Sequence, residues 1–135
     1  MGILPLLLVV EDEPLIRIWM AEALQEGGFD LVESGDGTAA LAELDAGAPF
    51  AGLITDIRIG GAADGWEVAR RARQLHPKIA VVYATGDSAA DWAAEGVPNS
   101  LVLQKPFATA QLLTAISSLL IAVQSTPAQP PLAQG

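Results

Sequence analysis

The stretch Leu6-Leu7-Leu8-Val9-Val10-Glu11-Asp12-Glu13-Pro14 decides the fold. Five apolar residues in a row, with no polar alternation, suit a strand buried on both faces, as strands in parallel sheets are. The run breaks on three acids and then a proline, a residue favoured in the first turn of a helix. A helix is expected over residues 14–26, with Leu15, Ile18, Trp19 and Leu24 as its apolar stripe and Gly27-Gly28 as its stop. Strand, acidic loop and helix in succession make one βα unit.

The unit repeats along the chain. Residues 29–33 read as a second strand, and Ser34-Gly35-Asp36-Gly37 turns the chain into a helix carrying Ala39, Ala40, Leu41 and Leu44. A third strand over 51–55 ends at Asp56; a loop with Gly60, Gly61 and Gly65 leads to a helix over 66–75 whose basic side is Arg70, Arg71 and Arg73. Residues 79–84 are the clearest strand. The Ala-rich stretch 88–95 predicts a short helix at best. It has few large apolar anchors beyond Trp92, so little is expected to hold it in one conformation. A fifth strand over 100–103 precedes Lys105-Pro106-Phe107 and a last helix over 108–123. Strands alternating with helices predict an α/β domain, an open parallel sheet with right-handed crossovers and helices on both faces.

Composition narrows the classes. The 135 residues suit one domain, expected over 1–123; the stretch 124–135, with three prolines and no charge, is expected to be a disordered tail. Seven Lys and Arg against 16 Asp and Glu give a net charge of −9, which would repel nucleic acid. The absence of cysteine removes thiol catalysis, disulfides and thiolate metal sites. The apolar run near the N-terminus is far shorter than the about 20 residues of a membrane span and has no basic leader. A cytoplasmic protein with no membrane partner is expected. The residues after the last helix are too few for a DNA-binding unit, so a stand-alone domain, or one excised from a larger protein, is expected.

In open α/β sheets ligands bind outside the carboxyl ends of the strands. Those ends here carry Glu11, Asp12 and Glu13, then Asp56, Thr85 and Lys105. Taken singly, each has an ordinary reading: Asp12 as the cap of the first helix, Asp56 and Thr85 as turn residues, Lys105 as a solvated surface lysine. Taken together, carboxylates that would repel one another call for a cation. Oxygen-only ligands suit Mg²⁺, and acids, an ammonium and a hydroxyl around a divalent ion suit a phosphoryl group.

The same residues carry a resemblance. Val-Val-Glu11-Asp12-Glu, Ile-Thr-Asp56-Ile-Arg, Asp64-Gly65-Trp, Tyr-Ala-Thr85-Gly and Lys105-Pro106-Phe, in this order, resemble the receiver domain of two-component response regulators (CheY-like) from Leu6 to about Val123. The resemblance implies a flavodoxin-like, three-layer (βα)5 fold with strand order 2-1-3-4-5. It implies Asp56 as phosphoacceptor, Mg²⁺ held by Glu11, Asp12, Asp56 and the backbone carbonyl of Arg58, and Thr85 and Lys105 on the phosphoryl group. It implies a cis Lys105–Pro106 bond as well. A histidine kinase or histidine phosphotransfer protein is the implied donor, and a downstream protein the target, met through the fourth helix, fifth strand and fifth helix by a monomer or weak dimer. Arg58 and Asp87 would tune the lifetime of the phosphoryl group. The resemblance implies no enzyme beyond the chain's own phosphorylation and dephosphorylation. The chain departs from the family in a longer loop after Asp56 that lacks a proline, and in Val102, where many receivers carry an aromatic. Its Tyr83-Ala84-Thr85-Gly86 is similar to an aromatic-Ala-Thr-Gly subclass of single-domain receivers.

Other classes fit less well. A haloacid-dehalogenase phosphatase needs an Asp where Arg58 stands, and a flavodoxin's phosphate would meet Glu11, Asp12 and Glu13. A receiver fold working by contact alone, or a phosphate sink, is the alternative that remains.

Overall fold

The computed structural model describes residues 3–125. Five strands, β1 (Leu6–Val10), β2 (Asp30–Ser34), β3 (Gly52–Thr55), β4 (Ala80–Thr85) and β5 (Ser100–Gln104), form one parallel sheet in the order β2-β1-β3-β4-β5. Helices α1 (Pro14–Glu26), α2 (Gly37–Asp45), α3 (Gly65–Leu75), α4 (Trp92–Glu95, preceded by a 3-10 turn Ala89–Asp91) and α5 (Thr109–Ser125) connect or follow them. This is the doubly wound order expected from the resemblance, and the boundaries fall within one or two residues of those read from the sequence. Gln124 and Ser125, assigned to the tail by composition, lie in α5; the rest of that stretch, 126–135, lies outside the described residues.

Alternation along the strands divides the core in two. Leu8, Val10, Leu53, Val81 and Tyr83 pack with Ala40, Leu44, Val68, Ala69 and Ala72 of α2 and α3. Leu7, Val9, Ile54 and Val82 pack with Met20 and Leu24 of α1 and with Leu112 and Ile116 of α5. Strands covered on both faces have no solvent side to mark with polar residues, which is why β1 and β4 read as unbroken apolar runs. Each fully buried leucine contributes about 1.5–3 kcal/mol.

The expected stripe on α1 is corrected. Leu15, Ile18 and Trp19 are 80%, 49% and 38% exposed, while Met20, Ala21, Ala23 and Leu24 are buried and Ile16 packs against them. Positions 15, 18 and 19 continue to Glu22, where the stripe breaks; positions 16, 20, 23 and 24 continue at helical spacing without a charge. Larger side chains lie on the outer face of the helix, and the buried face includes two alanines. Trp19 packs its ring beside Phe107, centroids 5.6 Å apart.

The basic side of α3 is spent within the chain. Arg71 pairs with Asp45 at 2.9 Å, Arg70 with Glu95 at 3.6 Å, and Arg73 donates to the carbonyls of Ile79, Pro98 and Asn99. Among the described residues no helix is long and apolar enough to cross a membrane.

Candidate functional site at the carboxyl end of the sheet

Three side chains of the site stand one residue beyond a strand, where the backbone ladder still holds them. The Glu11 N–H donates to the Ser34 carbonyl (3.1 Å), Asp56 N–H to the Val10 carbonyl (3.0 Å), and Lys105 N–H to the Thr85 carbonyl (2.8 Å). Their backbones are therefore as fixed as the sheet, and their side chains converge above β1, β3 and β5. Glu11 and Asp56 are buried and Asp12 is exposed; one carboxylate oxygen from each lies within 4.8 Å of the others. The Lys105 ammonium donates to Glu11 Oε1 at 2.7 Å and to Asp56 Oδ2 at 2.8 Å. Asp56 Oδ1 also accepts the Ile57 N–H (2.6 Å), and Glu11 Oε2 accepts the Glu13 N–H (3.1 Å).

Burial pushes the Glu11 carboxyl up from its ordinary value, and the hydrogen bond from Lys105 opposes that only in part. Burial also works against the Lys105 ammonium, but its bonds to Asp56 and Glu11 outweigh it and raise its pKa. The lysine is thus a permanent cation among acids near neutral pH. Three oxygen ligands this close, two of them buried, match the donor chemistry of a hard divalent ion.

Thr85 is buried at the end of β4, and its hydroxyl accepts the Ser88 N–H at 3.1 Å and, more weakly, the Asp87 N–H at 3.4 Å. Arg58 and Asp87, each two residues beyond a site residue, form an ion pair at 3.1 Å with side chains 75% and 56% exposed. An exposed pair of this kind contributes about 0–1 kcal/mol. The capping alternative for Asp12 fails: the N-cap of α1 is Glu13, with no side-chain cap bond. The Lys105–Pro106 bond is cis.

Several contacts around the site and the α4 region follow no pattern of sequence spacing. Arg17 donates to the Glu11 carbonyl at 2.7 Å and lies 3.6 Å from Glu33, so it steadies the acidic loop from below. The Tyr83 ring lies tilted against Trp66, and its hydroxyl accepts the Val97 N–H at 3.1 Å. Trp92 Nε1 donates to Ser100 Oγ at 2.9 Å, and Ser100 Oγ donates to the Val97 carbonyl at 2.6 Å. The stretch 88–95, expected to have little to hold it, is fastened by polar bonds at both ends. Cavities of about 510 and 530 Å³ lie at the opposite, amino ends of the strands, beside Lys78 and Ile79. Volume alone does not mark the site.

A doubly wound parallel sheet with an acid cluster and a lysine over its carboxyl edge defines a CheY-like signalling module. The chain belongs to the response regulator receiver domain family, whose model matches residues 7–117, and so is a receiver domain of two-component systems. Among curated proteins it is 31% identical over 118 residues to the response regulator receiver protein CpdR of Brucella abortus (strain 2308), covering 86% of this chain and 97% of CpdR. Two further curated relatives are longer, and the chain spans 43% and 12% of them. A receiver protein of Sinorhizobium medicae WSM419 has a crystal structure with 40% identity and a TM-score of 0.87 over 89% of this chain and 97% of that one. The response regulator TrrA of Thermotoga maritima, crystallised in complex with Mg²⁺-BeF, is 29% identical, with a TM-score of 0.71 over 86% of this chain and 99% of that one.

Proposed function

We propose that the chain is a phosphoacceptor in a two-component relay, taking a phosphoryl group onto Asp56 from the phosphohistidine of a histidine kinase or histidine phosphotransfer protein. The observation that carries this is the Lys105 ammonium bonded to both Glu11 and Asp56, with Asp12 beside them. An Asp56 carboxylate oxygen attacks phosphorus, the P–N bond breaks, and the imidazole keeps the electron pair and takes a proton. The product is an acyl phosphate, later hydrolysed by water to inorganic phosphate and the free carboxylate.

Glu11, Asp12, Asp56 and the Arg58 carbonyl would hold Mg²⁺, which when bound supplies positive charge to the phosphoryl oxygens. Lys105 supplies a second, fixed charge to the same oxygens, and the Thr85 hydroxyl a hydrogen-bond donor once it turns from the Ser88 N–H. Asp56 reaches the donor with little reorganisation because its N–H is held in the β1–β3 ladder. Arg58 and Asp87 border the path of the hydrolytic water and tune the phosphoryl lifetime. The signal leaves through the α4–β5–α5 face toward a downstream protein, and the domain works in the cytoplasm as a monomer or weak dimer.

Beryllofluoride with Mg²⁺ tests the site without a kinase. Wild type should bind it, seen as a rise in Tm, and Asp56→Asn, which keeps the shape but loses the nucleophile, should not. A rise of equal size in the variant would place the acceptor elsewhere.

A further inference from the structure

We propose that Thr38, in the first turn of α2, is a positioning residue for the phosphoacceptor loop: its hydroxyl fixes the segment that presents the Arg58 carbonyl to the metal. The inference rests on the reading of that carbonyl as a ligand given above.

The loop 58–64, Arg-Ile-Gly-Gly-Ala-Ala-Asp, has two adjacent glycines and no proline, so its own sequence gives it little stiffness. Its base is closed by the Gly65 N–H, which donates to the Ile57 carbonyl at 2.8 Å, and by a capping box in which Asp64 and Glu67 each accept the other's N–H. Its tip is held by another helix. Gly37 N–H, one of the amides that the start of α2 leaves without a helical partner, donates to the Gly60 carbonyl at 2.7 Å. In return the Ala62 N–H donates to Thr38 Oγ1 at 2.8 Å. The exchange is reciprocal, with one bond in each direction between the loop and the helix.

The backbones meet closely enough to constrain their residues. A Cβ at Gly37 would lie 2.0 Å from the Ala63 carbonyl oxygen, so only glycine lets the helix start touch the loop. Gly61 has φ +94°, and a Cβ there would fall 2.7 Å from Thr38 Oγ1. These glycines permit the approach, and Thr38 is the side chain that uses it. Arg58 sits between the pinned base and the pinned tip, so the direction of its carbonyl depends on both. Without the bond at Ala62 the loop keeps the Gly37 bond and the packing of Ile59 and Ala63 against the core, but its tip samples more conformations, which lowers metal affinity because ordering must then accompany binding.

Thr38→Val replaces the hydroxyl with a methyl of similar size, and Thr38→Ser restores the oxygen. The full chain is titrated with Mg²⁺ alone, well below its Tm, and amide exchange is followed at Ala62 in chelator. Thr38→Val should bind Mg²⁺ about 3- to 10-fold more weakly, the effect of one ordinary hydrogen bond, and should exchange faster at Ala62; Thr38→Ser should return both toward wild type. Wild-type Mg²⁺ affinity in Thr38→Val, or a serine variant as weak as the valine one, overturns the positioning role. Equal exchange at Ala62 in wild type and Thr38→Val overturns the clamp itself. A wild type with no Mg²⁺ affinity overturns the metal reading and with it this role, an outcome separable from the others because wild type itself then fails.

Discussion

At the scale of single residues, Glu11 shows burial and charge acting against each other. Its carboxyl is held up by burial despite the Lys105 bond, so the ionised form costs stability in the folded chain. A group whose folded pKa is raised favours the fold below its unfolded pKa, here 4.5, and that contribution is lost as pH rises through the folded value. Glu11→Gln in chelator should therefore melt above wild type at pH 7, and the gap should close as pH falls toward 4.5. A variant that melts below wild type across the range would show that the ion pair outweighs the burial cost. Most of the acids and the lysine were legible in the sequence because each stands at the end of an apolar run, and parallel strands deliver such positions to one edge. Arg17 was not legible. It lies inside a helix, and its bond to the Glu11 carbonyl depends on how α1 rolls on the sheet, which one-dimensional spacing does not carry.

At the scale of elements, the short α4 region is fastened to one strand at two points. Thr85 and Tyr83 lie two residues apart on β4 and face the same side. Their hydroxyls accept the N–H of Ser88 at one end of the region and of Val97 at the other. In the proposed phosphorylated state, a Thr85 turned toward the phosphoryl group would open the first fastening and leave the second closed, with Tyr83 as the fixed end. Tyr83→Phe keeps the ring against Trp66 and removes the acceptor. It should cost about 1–3 kcal/mol, the penalty of a buried unpaired N–H, and hydrogen exchange should quicken at Val97 but not at Ser88. Equal quickening at both, or none at Val97, would contradict the two-point attachment. The short helix of this region was legible in the sequence; its anchors were not, because they are hydroxyls, an indole N–H and Arg70 rather than apolar side chains. The α1 stripe failed for a related reason: small and flexible residues, Ala21, Ala23 and Met20, form the buried face, and they stand out less than Leu15 or Trp19.

At the scale of the whole molecule, the alternation of runs was enough for class and element order, since a sheet whose central strands are buried on both faces can close a core only between two layers of helices. Strand order was a different matter. Nothing in hydropathy distinguishes 2-1-3-4-5 from other doubly wound orders, and it came with the family resemblance. That order places β1 and β3 side by side, bringing Glu11 and Asp56 together, and places β4 between β3 and β5, with Thr85 over the site and Lys105 reaching across it. The central claim is that this edge receives a phosphoryl group on Asp56. The most direct measurement is phosphotransfer from a radiolabelled phosphohistidine donor to wild type and to Asp56→Asn, with Mg²⁺ and with chelator. Base-labile label is expected on wild type only when Mg²⁺ is present, and none on the variant. Label on Asp56→Asn at the wild-type rate, or transfer to wild type undiminished by chelator, would contradict it.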